Sequence, residues 1–533
     1  MVTTGPPSKQ NTHPTAPPNV AYWVQFRRGP KYQGEYGFDW VEWARNSANP
    51  HTAYDDLTTV MGKPISNYEF CYDPGQPGIP ARPATATQPA IPAKPAILPR
   101  YAPVSGLYKQ RYEDELHKGY PKRIVQGNDY YVPWLSMRPH QTVHLKLEVE
   151  FLNKNPVQAT NWFTVVAHAD YRVTINGKTN AAPMQLVPKN KQVLDVTIEC
   201  LRPSVGGALE VRDELNQPVG ELQLADNTLV YELPVRVVYV LLGRPMNPKD
   251  PLGATPPRPL YAAGRHTQAT LQHSFEALDF ITYVNEHTLN QALITCVVQA
   301  PPPLAPPTGL APAYQVLLDE DQLKHDGLLL SNVIHGSTAF TDYCEKVANA
   351  TLGIGSFAGL TIFVHELDVP PPAPGAVINA SGTIFPVEAK TLNVYRAGLS
   401  SGSKRTIAHE LGHVLGLTHA FPDTDDAEAI DYSNALDRAQ QDITKETINL
   451  ATLTLPADIL KAQQGIQNLT TRIAWLTARF AVFVNNPFKF TKFSTENMMD
   501  YEQGNIRLSY WHWQWALLQA DVNNYYGTKK AAR

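Results

Sequence analysis

Cysteine is scarce: Cys71, Cys200, Cys296 and Cys344 are scattered over 533 positions, with no CxxC pair among them. That excludes a zinc knuckle and the dense disulfide framework of a small secreted domain, leaving buried free thiols as the expectation. Long apolar runs are missing too. No window approaches the roughly 18 consecutive apolar residues of a spanning helix, so no membrane span is expected. Neither charge dominates, with 45 basic against 49 acidic residues, and without a phosphate-tracking surface nucleic acid is not an expected partner. The opening MVTTGPPSKQNTHPTAPPNV is polar and proline-rich and has neither the charged start nor the apolar stretch of a secretory signal.

What is abundant is proline, 46 residues in all, and its clusters divide the chain. Residues 1–20 read as a disordered tail. An aromatic-rich module follows over 21–73, with Tyr22, Trp23, Phe26, Tyr36, Phe38, Trp40 and Trp43. The proline-rich spacer 74–104 favours extended backbone and withholds donors, as a semi-rigid tether does. Over 105–245 the chain reads as β-structure. Val143, Leu145, Leu147, Val149 and Phe151 alternate with His144, Lys146, Glu148 and Glu150, and the runs NWFTVVAH, YRVTINGK, QVLDVTIECL and LPVRVVYVLLG recur between turn signals, a pattern that favours an immunoglobulin-like sandwich. A linker, 246–258, leads to a third domain at 259–533. There, helical and strand-like runs interleave in an α+β order, and a helical insertion over 433–483 is divided at Pro456.

The segment from Thr406 to His419 contains HExxHxxGxxH, expected by chance on the order of 10⁻⁵ to 10⁻⁴ times in a chain of this length and composition. Residues four apart on a helix lie about 6 Å apart on one face, so His409 and His413 can direct nitrogens at one ion. Ile407, Leu411, Val414 and Leu415 form the opposing apolar stripe. Ser403 is the expected N-cap. Continuing the helix would carry His419 away from the metal. Gly416 is therefore expected at positive φ, turning the chain so that His419 comes back under the ion. Three neutral imidazoles with an open fourth position match a catalytic Zn²⁺ site, with Glu410 placed as general base for a metal-activated water.

Three other candidates are weaker. His365-Glu366 also begins H-E-L, but position 369 is valine, so no metal site is expected there. Cys71 matches no latency-switch pattern, and His512 within the run WHWQW is expected to sit in packing rather than on a metal.

The long zinc motif resembles the metzincin zinc endopeptidases, whose second hallmark is a methionine turn. Thr495 to Tyr501 is similar to the N-x-M-D-Y form of that turn, which implies that Met499 lies beneath the metal histidines and that Tyr501 reaches the zinc or the transition-state oxyanion. His419-Ala420-Phe421 resembles the pappalysin and cytophagalysin branch. The 80 positions from His419 to Met499 are long for a compact member. The resemblance covers about 259–527. In the amino-terminal half, Gly34 to Trp40 and Val132 to Met137 are similar to modules of bacterial type VI secretion or related contractile machines.

The expected molecule is therefore multidomain: an α+β metzincin-like zinc peptidase domain preceded by β-rich, immunoglobulin-like amino-terminal modules. Its expected activity is zinc-dependent endopeptidase action on a peptide or protein substrate, aligned along an edge strand within Gly382 to Val387. Cell-wall peptide hydrolysis by the same chemistry, or a non-catalytic structural role in a secretion assembly, are the alternatives. As a secreted bacterial effector or toxin it would leave the cell without a signal peptide and have a contractile secretion apparatus and a cognate immunity protein as partners; otherwise it is cytoplasmic.

Overall fold

The computed structural model describes residues 20–40, 70–73, 100–103, 119–153, 155, 157–158, 160–179, 182–187, 191–243, 268–300, 314–330, 333–334, 337–352, 357–367, 382–383, 390–399, 403–421, 427–485, 492, 495–501, 507–526 and 528–532. The expected tail up to residue 19, the spacer from 74 to 99 and the linker 246–258 lie outside the described residues. Among the described residues the protein is mixed α/β with several sheets, and no helix is long and apolar enough to cross a membrane.

Two sheets enclose the first core. The first is antiparallel, in the order Tyr22–Arg28, Thr142–Phe151, Lys191–Cys200, Tyr171–Ile175, Lys178–Thr179. Its alternation follows the sequence pattern, because successive strand residues face opposite sides. Val143, Leu145, Leu147 and Val149 are buried while His144 is exposed. Asn176 and Gly177 both take positive φ, +46° and +80°, as a two-residue hairpin turn requires. The second sheet runs Met184–Gln185, Trp162–Val165, Gly207–Asp213, Pro218–Leu224, Trp134–Ser136, Gly37–Asp39.

The aromatic segment is no separate module over its described part. Tyr22–Arg28 is an edge strand of the first sheet and Gly37–Asp39 of the second. Tyr22, Phe26 and Phe38 share one core with Leu147 and Val211, a burial that contributes about 1.5–3 kcal/mol per large apolar side chain.

A second revision concerns LPVRVVYVLLG. Expected as a sandwich strand, it lies in the 15-residue strand Leu229–Gly243 at the centre of a third sheet. It pairs in parallel with Ile294–Val298, Leu360–His365 and Tyr314–Asp319, and antiparallel with Thr528–Ala531 near the carboxy terminus. The physical reason is in the run itself: near-continuous apolar residues mark a strand covered on both faces. Leu233, Val235, Tyr239 and Leu241 enter one core, and Val238, Val240 and Leu242 enter another beneath the helix Ser337–Leu352. Thr391–Val394 lies beyond Leu360–His365, with the antiparallel pair of residues Gly382–Thr383 at the edge.

The segment expected as an insertion forms two helices, Ala427–Leu450 and Pro456–Asn485, with Pro456 at the start of the second, where its missing N–H has no cost. The two-sheet unit is bound to the rest by polar links. Arg28 Nη2 donates to Glu496 Oε2 at 2.9 Å, both side chains being buried. Asp39 Oδ2 accepts from the backbone N–H of His512 at 2.9 Å and from the Tyr120 hydroxyl at 2.7 Å. At Gly34, φ is +95° and a Cβ would meet the His287 carbonyl oxygen at 2.1 Å, so only glycine lets this loop seat against the helical layer.

Candidate metal centre

The motif lies on the helix Lys404–Val414. Ile407, Leu411, Val414 and Leu415 are buried as the stripe required, in one core with Val235, Ile362 and Trp515. Ser403 does not act as an N-cap: its backbone is helical and its side chain makes no capping bond. The other end follows the expected turn. Gly416 has φ +83°, its N–H donates to His413 O at 2.8 Å, and Leu417 N–H donates to Gly412 O at 2.9 Å, the paired bonds of a Schellman stop.

The turn brings three imidazoles together. His413 Nε2 lies 3.2 Å from His409 Nε2 and 3.1 Å from His419 Nε2. Ligands about 2.0–2.1 Å from a tetrahedral ion stand about 3.3 Å apart, so both separations suit neighbouring corners around one metal, and the three ligand atoms all lie within 4.8 Å of one another. Among the described residues this is the one group of at least three His, Cys, Asp or Glu side chains able to hold an ion. The tautomers suit that task. His409 Nδ1 lies 2.9 Å from Met498 O and His413 Nδ1 lies 2.8 Å from Leu417 O. A carbonyl only accepts, so each Nδ1 carries the proton and each Nε2 keeps its lone pair for the ion. Burial, then the two neighbouring imidazoles, hold His409 well below the usual histidine range and keep it neutral.

The segment Thr495–Tyr501 passes directly beneath. Met499 O accepts from Ala420 N–H at 2.9 Å, and Met499 N–H donates to Asn497 Oδ1 at 2.9 Å. Asp500 Oδ2 accepts from both Thr495 N–H and its hydroxyl at 2.8 Å, while Asn497 Nδ2 donates to Gln514 Oε1 at 2.7 Å. Met499 is fully buried. Its sulfur explains a glycine inside the motif helix, since a Cβ on Gly412 would meet Sδ at 2.5 Å.

Tyr501 packs beside the histidines, its ring centroid 5.3 Å from those of His409 and His419 and 4.9 Å from that of Phe421. Phe421 stacks on His419 at 4.6 Å. Glu410 is half-buried beside His409. Loss of water pushes its carboxyl up to about 8, against the opposing pull of the Arg507 guanidinium. Sequence reasoning missed Arg507, which is buried, donates to Thr406 Oγ1 at 3.1 Å and so ties the chain after Tyr501 to the motif helix. No local pattern marks it.

The rejected candidates lie elsewhere. His365 Nε2 donates to Asn393 Oδ1 at 2.8 Å inside the core, and burial lowers its pKa to about 4. His512 Nδ1 is bonded to Asp39 Oδ2 at 2.7 Å and its ring stacks on Trp134. Cys71 is in the strand Phe70–Asp73, paired with Arg100–Pro103; Cys200, Cys296 and Cys344 are buried free thiols. No family model matches the chain, and no curated protein matches it.

Proposed function

We propose that this protein is a zinc-dependent endopeptidase of metzincin type, its two-sheet unit an immunoglobulin-like carrier. The observation that supports this reading is the convergence of three imidazoles, with His413 Nε2 at 3.2 and 3.1 Å from the Nε2 atoms of His409 and His419 and the Tyr501 ring 5.3 Å from that of His409. A donor set of three imidazole nitrogens favours zinc over harder ions, which select oxygen ligands. When bound, zinc supplies a Lewis acid that polarises a carbonyl and makes water nucleophilic near neutral pH. Held ionised by the cation once it is bound, Glu410 would take the proton from the attacking water on a carboxylate oxygen and return it to the departing amine. The Tyr501 hydroxyl donates to the oxygen on which charge develops. An extended peptide would pair with the edge residues Gly382 and Thr383, which border Thr391–Val394.

Cell-wall peptides are the alternative substrate, and incubation with casein or with purified wall separates the two. The reading of another class is a structural component of a secretion assembly. The proposed delivery is by a contractile apparatus, which would leave the producing cell in need of an immunity protein. The deciding experiment combines elemental analysis of the purified chain with mapping of new protein termini after exposure to wild type or Glu410→Ala. One zinc per chain and termini present only with wild type are expected. Zinc near zero even after reconstitution, or identical termini with both proteins, would sink the peptidase reading.

A further inference from the structure

The inserted hairpin reaches the motif helix through one buried side chain, Arg479, which lies in the second inserted helix. Its Nη2 donates to the carbonyl oxygen of Val414, 65 residues away in the chain. The same guanidinium forms a two-point pair with Asp521, Nη2 to Oδ2 at 2.8 Å and Nε to Oδ1 at 3.1 Å. Its carbon stands 4.0 Å from the centroid of the Trp475 ring. The Tyr526 hydroxyl donates to the same Val414 carbonyl at 2.9 Å. A Cβ on Gly416 would lie 3.2 Å from Arg479 Nε, so the guanidinium is seated directly against the turn.

Val414 O is among the last four carbonyls of the motif helix, which have no partner within it and form its negative end. A buried cation donating there satisfies an orphan acceptor and complements the dipole. The next residues are the turn itself. Leu417 O holds His413 Nδ1 at 2.8 Å, and His419 follows two positions later. Whatever fixes residues 414–417 therefore orients two of the three imidazoles.

We infer that Arg479 is a positioning residue of the metal centre: by capping Val414 and packing under Gly416 it aims His413 and His419, which makes the helical insertion part of the metal-holding apparatus. The inference rests on the reading of the three histidines as metal ligands and does not depend on peptidase activity.

The test uses the full chain, stripped of metal and titrated with Zn²⁺ against a chromophoric chelator, and the visible spectrum of the Co²⁺-loaded protein. Arg479→Met is expected to weaken Zn²⁺ binding by about 10- to 100-fold, as loss of a group orienting metal ligands does, and to change the Co²⁺ bands. Arg479→Lys, which keeps the charge but not the two-point fork, should recover part of both, while Lys461→Met on the exposed face of the same helix should alter neither. Wild-type affinity and an unchanged Co²⁺ spectrum in a folded Arg479→Met protein would overturn the inference while leaving the metal site standing. If Arg479→Met does not fold, Arg479→Lys decides by the same two readouts. Failure of the wild type to bind Zn²⁺ at all would remove the metal reading and this inference with it.

Discussion

His365 and His409 each begin an H-E-L triplet and each is buried, yet their surroundings assign them opposite tasks. His365 has Asn393 as its polar partner and the Tyr395 ring stacked at 5.1 Å, so it is a neutral packing residue. Its pKa is depressed to about 4, against about 6.5 in an unfolded chain. Stability from this group is therefore present above about 6.5 and lost as pH falls towards 4, because the unfolded state takes up the proton first. Urea unfolding of metal-free wild type and His365→Gln at pH 7, 5.5 and 4.5 should show a steeper acid loss in wild type. The difference should be on the order of 2–3 kcal/mol; parallel slopes would refute it. At the three-histidine site, the proposed function predicts that Glu410→Ala keeps the fold and any bound zinc but loses at least about 10²-fold in kcat, or roughly 2.7 kcal/mol of barrier. Tyr501→Phe should lose less, through kcat more than KM, if its hydroxyl meets charge only in the transition state.

The motif helix shows how an element can carry a residue against its own propensity. A mid-helix glycine costs about 1 kcal/mol relative to alanine, so Gly412→Ala on an isolated helix would stabilise. In this protein the new methyl would press on Met499 Sδ, with the Tyr510 hydroxyl also within 3.6 Å. The expected outcome is a net loss of about 1–3 kcal/mol, the usual range for overpacking, together with weaker zinc binding because His409 is held by the neighbouring Met498 carbonyl. A higher melting temperature in Gly412→Ala would mean that the Thr495–Tyr501 turn does not press on the helix. Element boundaries were otherwise well announced: Gly416 and the Asn176-Gly177 turn are backbone requirements written in residue type. Ser403 was not, since an N-cap also needs extended backbone and this serine is helical.

At the scale of the whole molecule, the joints do not fall where proline composition placed them. A chain starting at Pro259 lacks Leu229–Gly243, to which four other strands pair. It is expected to be insoluble or unfolded by circular dichroism; a cooperative, zinc-binding 259–533 fragment would disprove the central role of that strand. Arg28→Met should destabilise the full chain by about 3–5 kcal/mol, the cost of leaving the buried Glu496 carboxylate unpaired. This couples the two-sheet unit to the turn Thr495–Tyr501. Spacing alone was enough to expect that His409, His413 and His419 converge, that Gly416 stops the helix and that the strands alternate, because each depends on positions along one helix, one turn or one strand. Only the tertiary structure decided that Leu229–Gly243 belongs to the third sheet and that the amino-terminal aromatics complete the first core. It also decided that Arg479 meets the Val414 carbonyl, Arg507 the Thr406 hydroxyl and Arg28 the Glu496 carboxyl. Those contacts join residues from 65 to 468 positions apart, and a lone arginine or glutamate has no periodicity from which its distant partner can be read.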